Sequence, residues 1–340
     1  MNIGSTMSPF DDIRALIKGA PQGDLAAEAT ARKRCEELMI PPQGLGRFNE
    51  LAIWMAKWQG RNPPKVEEPL VAVFASSHGV AKYGVAPDPA DATPRIVELL
   101  KTGQAATNHI AASAGAGMRV FEMAVEQPTK DLTEEPAMSQ KECAATIAFG
   151  MEAVAEKPDL LALGETGVGG ATAAAAVACA LYGGNASYWV RAGDWITPDA
   201  LDRRVDAVAK ALQTHRGHLT DPLDILHRLG GREIAALVGA IVAARTQGIP
   251  VILDVFATTV AAAIVHAIEP GAADHCIAGH LSTEPAHPAL LDRLGQKPLL
   301  DMGLRTTEGA GAAACIPLLR AACDAHAGIA TVGDTGWRRC

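Results

Sequence analysis

An α/β fold with a mostly parallel sheet covered by helices on both faces follows from three observations. Apolar runs of strand length recur along the chain, most lead into a polar turn, often glycine-bearing, and segments of helix length, several alanine-rich, lie between the runs. The run Leu70 to Ala75 is apolar throughout rather than alternating, which marks a strand buried on both faces. Strands that alternate with helices are joined by crossovers, and crossovers make neighbouring strands parallel.

Taken in order, residues 10–60 read as helical, interrupted by Pro41-Pro42-Gln43-Gly44-Leu45-Gly46. Beyond that break Leu51, Trp54, Met55 and Trp58 fall at helical spacing and form an apolar stripe. Asn62-Pro63-Pro64 ends the segment as a hinge or linker. Leu70 to Ala75 is the first strand, with Ser76-Ser77-His78-Gly79-Val80 as its loop. Met118 to Val125 is the second. Leu160 to Gly164 is the third, ending in the turn Glu165-Thr166-Gly167-Val168-Gly169-Gly170 and an alanine-rich helix. Thr197-Pro198-Asp199 supplies an N-cap, a first-turn proline and a first-turn acid for a helix to about His215. Gly231 to Gln247 is a further helix, Pro250 to Val255 a strand, and His275 to Ser282 another. Pro298 to Met302 reads as the last strand, and a helix to Ala325 follows it. The tail after Gly328 is expected to fray.

The composition narrows the function. The 340 residues are ample for a core, and 49% hydrophobic with 20% charged residues is ordinary for a globular protein. A net charge of −8, no basic stripe and only 4% aromatics argue against a nucleic-acid partner. No run approaches the roughly 18 apolar residues of a spanning helix, so no membrane partner is expected. Met1 to Met7 lacks an apolar signal core, and the seven cysteines are scattered without a C-x-x-C pair. Reduced thiols in a cytoplasm are the expectation. Cys276 lies near His275, His280 and His287, but the spacing matches no zinc pattern and no metal is expected.

Between the last strand and helix stands Leu304-Arg305-Thr306-Thr307-Glu308-Gly309-Ala310-Gly311. Open parallel sheets bind ligands at their carboxyl edge, which is where this turn should lie. A carboxylate beside glycines that admit a ligand to the backbone makes Glu308 a general-base candidate. Gly309 to Ala314 also fits G-x-G-x-x-A, but no further strand follows to complete a dinucleotide-binding unit. Neither a Walker A loop, a G-x-S-x-G elbow nor H-E-x-x-H occurs. His78, Glu165, Asp254, His280, Ser282, Glu284 and Glu308 all fall on loops after strands, so several can share one pocket.

At these residues the chain resembles the nicotinate-nucleotide–dimethylbenzimidazole phosphoribosyltransferases of cobalamin lower-ligand synthesis. The likeness runs in order from about Pro41 to Ala330. It covers Pro41 to Arg47, Ser77-His78-Gly79-Val80, Gly164 to Gly169, Leu229 to Ala236, Gly279-His280-Leu281-Ser282-Thr283-Glu284-Pro285 and Glu308 to Gly311. The resemblance implies a Rossmann-like parallel-sheet domain over residues 61–317. It also implies a small helical domain from residues 1–60, completed by about 318–340. It implies transfer of phosphoribose from nicotinate mononucleotide to 5,6-dimethylbenzimidazole or a related base, giving an α-ribazole 5′-phosphate. No metal or redox cofactor is implied. The partners implied are small-molecule substrates and a second subunit, as a homodimer or as a heterodimer with a paralogue.

By the same resemblance Glu308 is the catalytic base. Substrate contacts are implied at Ser77, His78, Glu165, Gly167, Gly169, Thr172, Gly193, Arg204, Asp254, Ser282, Arg305, Gly309 and Gly311. The pattern departs from the family in several places. The loop usually written G-E-M-G-I-G-N-T-T has Thr166 for Met, Gly170 for Asn and Ala171 for the first Thr. Where G-x-G-T-G is usual stands Arg191-Ala192-Gly193-Asp194-Trp195, adding a negative charge and bulk to an anion nest. Arg204 stands near a family lysine and is expected to pair with phosphate. Arg305-Thr306-Thr307-Glu308 replaces R-L-G-E, Ala310 replaces a Thr, and Pro94 or Arg95 replaces a glutamine near Thr93. These changes leave two alternatives open: a non-catalytic homologue that binds a base or an intact relative, and an enzyme using another nucleoside-like donor.

Overall fold

The computed structural model describes residues 8–41, 43–193 and 196–337, and a five-stranded parallel sheet lies at its centre. The strands are β1 (Pro69–Ala75), β2 (Gly117–Glu122), β3 (Leu160–Thr166), β4 (Val251–Leu253) and β5 (Cys276–Ala278), in the order β2-β1-β3-β4-β5. Register is continuous across the centre: Val73 lies opposite Val120 of β2 and Gly164 of β3. The chain moves outward from β1 to β2 and then returns to build β3 on the other side. Loops leaving β1 and β3 therefore diverge and open a crevice at the carboxyl edge.

The central strands are buried on both faces, β1 and β3 along their whole length, whereas the edge strand β2 carries Arg119 and Glu122 and is only partly buried. Leu70, Ala72, Phe74, Leu161, Leu163, Val251 and Leu253 enter one core. The helices Gln140–Gly150, Gly170–Tyr182, Arg232–Gln247 and Phe256–Ile268 pack into that core. Val71, Val73, Leu160, Ala162 and Ile252 enter the other, against Met55, Ala111, Ala312, Ala313 and Ile316. These last residues come from the helices Arg47–Gln59, Ala106–Ser113 and Ala310–Gly328.

The two ends of the chain meet. Arg34, near the end of the helix Leu25–Glu37, donates to the carbonyls of His326, Ala327 and Ile329. Those oxygens end the Ala310–Gly328 helix and have no partner within it, so the guanidinium acts as their cap. Leu38 and Thr331 add an antiparallel bridge. The short helix Asp11–Lys18 instead sends Ile13 and Ile17 into the first core.

The strand expected over Pro298 to Met302 is a correction. Only a single parallel bridge forms there, His280 to Leu300. Leu300 exchanges hydrogen bonds with Gly279 and Leu281, and the chain then leaves the edge of the sheet, with Met302 64% exposed. It leaves because the next residues must reach back over β3. β1 and β3 extend slightly beyond the expected segments, whereas β2, β4 and β5 are shorter than theirs. Ala124 at φ 51 ends the path of β2, and Asp254 turns from β4 to cap a neighbouring helix.

Two small residues set the closest helix contact. A Cβ on Gly150 would overlap the carbonyl of Ala236, and one on Gly239 would overlap the carbonyl of Ile147. The helices Gln140–Gly150 and Arg232–Gln247 thus touch backbone to backbone. Gly239→Ala gains helix propensity but must separate them, and overpacking outweighs propensity. The expected outcome is a loss of about 2 kcal/mol or more, read as a clear fall in Tm by calorimetry.

Candidate active site

A cavity of about 280 Å³ opens at the carboxyl edge of the sheet. Every loop that leaves a central strand contributes to its wall. Val85 and Asp88 come from beyond β1, Glu165 to Gly169 from β3, Val255 to Ala257 from β4, Ser282 to Glu284 from beyond β5, and Arg305 to Glu308 from the last turn. The wall mixes apolar residues, among them Val85, Ile96, Val168 and Phe256, with carboxylates and backbone.

The Glu308 turn lies directly on β3. Gly164 makes this possible, because a Cβ there would overlap the backbone of Glu308 and Gly309. Glu165 N–H donates to the Thr307 carbonyl at 3.0 Å, and the Thr307 hydroxyl donates to the Glu165 carbonyl at 2.9 Å. Behind the turn, Asp254 caps the Ala310–Gly328 helix, accepting from Gly309 N at 2.9 Å and Ala312 N at 2.7 Å. Gly309 holds φ +90, a left-handed conformation that suits glycine. A Cβ on Gly311 would lie 2.6 Å from His280 Cβ and 2.7 Å from Asp254 Oδ1. Asp254, Gly309 and Gly311 therefore hold the turn in place and do not line the cavity.

Burial raises the Glu308 carboxyl above its ordinary value, while the Thr107 hydroxyl, 3.5 Å from Oε2, pulls it back. Glu165, 4% exposed, is pushed well above the usual carboxylate range by burial and then by the charges of Glu233, Asp254 and Glu308. Asp254 is pushed up to about 7 by burial, against the lowering effect of backbone N–H groups at Ala312, Gly309 and Gly311. Glu233 goes the other way. Burial alone would raise it, but His78, with Nε2 3.1 Å from Oε1, holds it below the usual value.

His78 and Glu233 lie behind the wall rather than on it. A Cβ on Gly170 would point at Glu165, His78 and Glu233, each 3.4–3.5 Å away. These are ordinary contact distances, so Gly170 adjoins the buried cluster without being required by it. Gly231 is the glycine that makes room for the cluster, since a Cβ there would overlap Glu233 and His78. Ser77 is likewise outside the cavity, its hydroxyl donating to the Val125 carbonyl at 2.6 Å.

On the far side, Gly167, Gly169 and Thr172 bring the start of the Gly170–Tyr182 helix to the cavity. A helix start offers N–H groups and a positive dipole end to an anion. The Val168 N–H is already taken by Thr93 Oγ1 at 3.1 Å. Arg204 reaches the same region but is 1% exposed. It donates to Glu284 Oε2 and to the Ala171 carbonyl, both at 3.0 Å. Ser282 and Arg305 line the wall, and Gly193 does not. Asp194 and Trp195, expected to crowd the anion nest, lie outside the described residues.

Sequence reasoning overlooked Thr107, 201 residues from the Glu308 it contacts, and considered His287 only as a metal neighbour, not as the partner of Ser282. For Glu284 it missed the pairing with Arg204, and for Glu233 the charge partner His78. The glycine pair before Glu233 was the available signal, because glycines beside an acid in an apolar helix mark a crowded polar contact.

Comparison with known proteins finds relatives along nearly the whole chain and a solved structure of the same fold. A family model described as a phosphoribosyltransferase matches residues 20–336. The nicotinate-nucleotide–dimethylbenzimidazole phosphoribosyltransferase of Sinorhizobium medicae is 50% identical over 328 residues, covering 96% of this chain and 97% of the relative. That of Rhizobium meliloti is 50% identical over the same shares. The crystal structure of the enzyme from Thermus thermophilus superposes with a TM-score of 0.86 at 36% identity, over 93% of this chain and all of that one.

Two outcomes are expected from the turn. Gly164→Ala displaces Glu308 and lowers activity far more than it lowers Tm, which paired rate and melting measurements check. Thr107→Val removes a contact that lowers the Glu308 pKa. A base works only when ionised, so if Glu308 has that role activity is lost as pH falls through its pKa. The acid limb of the kcat/KM profile therefore moves to higher pH in Thr107→Val, and an unmoved limb contradicts the contact.

Proposed function

The chain belongs to the nicotinate-nucleotide–dimethylbenzimidazole phosphoribosyltransferase family. On that premise we propose that Glu308 is the general base of phosphoribosyl transfer from nicotinate mononucleotide to 5,6-dimethylbenzimidazole or a related base. The observation that supports this role is a raised but accessible carboxylate, held at the cavity wall by backbone contacts on both sides.

The attacking benzimidazole nitrogen forms a bond to the anomeric carbon as the bond to nicotinate breaks. The electron pair of that bond leaves on the pyridine nitrogen, and the proton on the other benzimidazole nitrogen passes to Glu308. The leaving group already carries positive charge, so the protein's work is to position the reactants and stabilise charge. The apolar residues of the wall, Ile96, Val168 and Phe256 among them, suit a flat aromatic base. The helix start at Gly167 to Thr172, with Arg204 beside it, suits the phosphate. Burial and the neighbouring acids push Glu165 towards its neutral form, which favours a hydroxyl donor there over a second negative charge.

Direct substrate contact is assigned to Glu165, Gly167, Gly169, Thr172, Arg204, Ser282, Arg305 and Glu308. Ser77, His78, Asp254, Gly309 and Gly311 act from behind the wall. We also propose a cytoplasmic homodimer and a small domain formed by the chain's two ends, which light scattering and limited proteolysis test.

One observation favours a second reading. The Arg204 charge is already met by Glu284, which suits a donor that relies less on phosphate, such as nicotinate riboside. Incubation with each donor and dimethylbenzimidazole, followed by chromatography with mass detection, separates the two. The expected product is α-ribazole 5′-phosphate with released nicotinate, and Glu308→Gln lowers its rate on the order of 10²-fold or more. Equal rates for the two proteins remove the role from Glu308, and product from the riboside alone selects the second reading.

A further inference from the structure

Ser282 stands at the cavity wall, and behind it the structure builds a line of buried polar groups. Its backbone N–H donates to His287 Nδ1 at 3.1 Å, and its Oγ lies 3.0 Å from the same nitrogen. On the other side of the ring, His287 Nε2 lies 2.9 Å from Thr259 Oγ1. Thr259 in turn donates to the Val255 carbonyl at 3.0 Å. His287 and Thr259 are both fully buried.

The direction of every bond in this line follows from which atoms can donate. A peptide N–H only donates, so His287 Nδ1 carries a lone pair and Nε2 carries the proton. Two acceptors 3.0 Å apart would repel, so the Ser282 hydroxyl proton lies between Oγ and Nδ1, where it shares that lone pair with the backbone N–H. The Nε2 proton goes to Thr259, and the Thr259 proton goes to Val255. Burial, and secondarily the charge of His280, lowers the His287 pKa to about 3, so the arrangement persists at neutral pH. No proton remains to point from Ser282 Oγ into the cavity.

We propose that His287 fixes Ser282 as an obligate hydrogen-bond acceptor that reads a sugar hydroxyl of the donor nucleotide. The inference rests on the phosphoribosyl reading. Phosphate and the nicotinate carboxylate offer no proton at neutral pH and would be repelled by such an oxygen. The benzimidazole proton goes to Glu308. What remains is the 2′- or 3′-hydroxyl of the ribose. Ser282 is then a specificity residue that selects ribose over a deoxyribose, and His287 is a positioning residue that acts through it.

Calorimetric titration of the full chain with nicotinate mononucleotide and with its 2′-deoxy and 3′-deoxy analogues tests this. The wild-type protein is expected to bind one of the two analogues roughly three- to tenfold more weakly than the parent, the effect of one hydrogen bond. Ser282→Ala weakens the parent by a similar factor and treats parent and analogue alike. His287→Asn keeps an acceptor oxygen near Nδ1 and retains the preference, whereas His287→Phe frees the hydroxyl to turn and abolishes it. Should His287→Phe melt early, Ser282→Ala decides alone. A wild-type preference that survives Ser282→Ala, or the absence of any preference, overturns the inference. Binding needs no turnover, so an inactive protein that shows the pattern overturns only the proposed reaction. An active one without it overturns only the role of Ser282, and one that binds none of the three overturns both.

Discussion

The contact between Gly164 and the backbone of Glu308 and Gly309 is the constraint on which the site depends. It brings a segment that belongs to no strand onto the centre of the sheet, at the point where the crevice opens. A hydrogen on Gly164 fits in the gap, and a methyl group does not. The two bonds between Thr307 and Glu165 then fix the position of the turn along β3, and Asp254 fixes its depth by capping the helix beyond. Glu308 is consequently held by backbone geometry rather than by its own side-chain contacts, which leaves its carboxylate available for chemistry. Pre-organisation of this kind lowers the reorganisation needed at the moment of reaction.

That geometry concentrates acid groups. Glu165, Glu308, Asp254 and Glu233 lie close enough to influence one another while largely withdrawn from water. They cannot all ionise, and the structure separates them by environment. Glu233 keeps its charge because His78 is beside it. Asp254 is drawn both ways, by burial and by three backbone N–H groups. Glu165, buried among those acids, is pushed well above the usual carboxylate range. Arg204 and Glu284 follow the same logic on the anion side, where a buried cation is kept by its partner.

Much of this was legible along the chain. Apolar runs with glycine turns predicted a doubly covered parallel sheet, and five strands of that sheet form where runs were read. Glu308 was legible because its flanking glycines mark a close backbone approach, and the collinear motifs identified the family that the comparisons show. The error at Pro298 to Met302 is instructive. An apolar run says that residues are buried, not that they find a strand to pair with, and here the edge after β5 was only touched before the chain turned away. Position after a strand was a weaker guide. His78 and Asp254 both follow strands, yet one faces Glu233 and the other a helix start.

The sequence by itself determined the class of fold, the family and the carboxylate that the last turn brings to the cavity wall, because each is written in local pattern or in ordered motifs. The tertiary structure alone decided which polar groups share the cavity, which charges cancel and which protons are held. Those properties depend on distances between residues far apart in the chain, as between Gly164 and Glu308 or Arg204 and Glu284. They depend also on burial, which sets the cost of each charge only when the whole chain has folded around it.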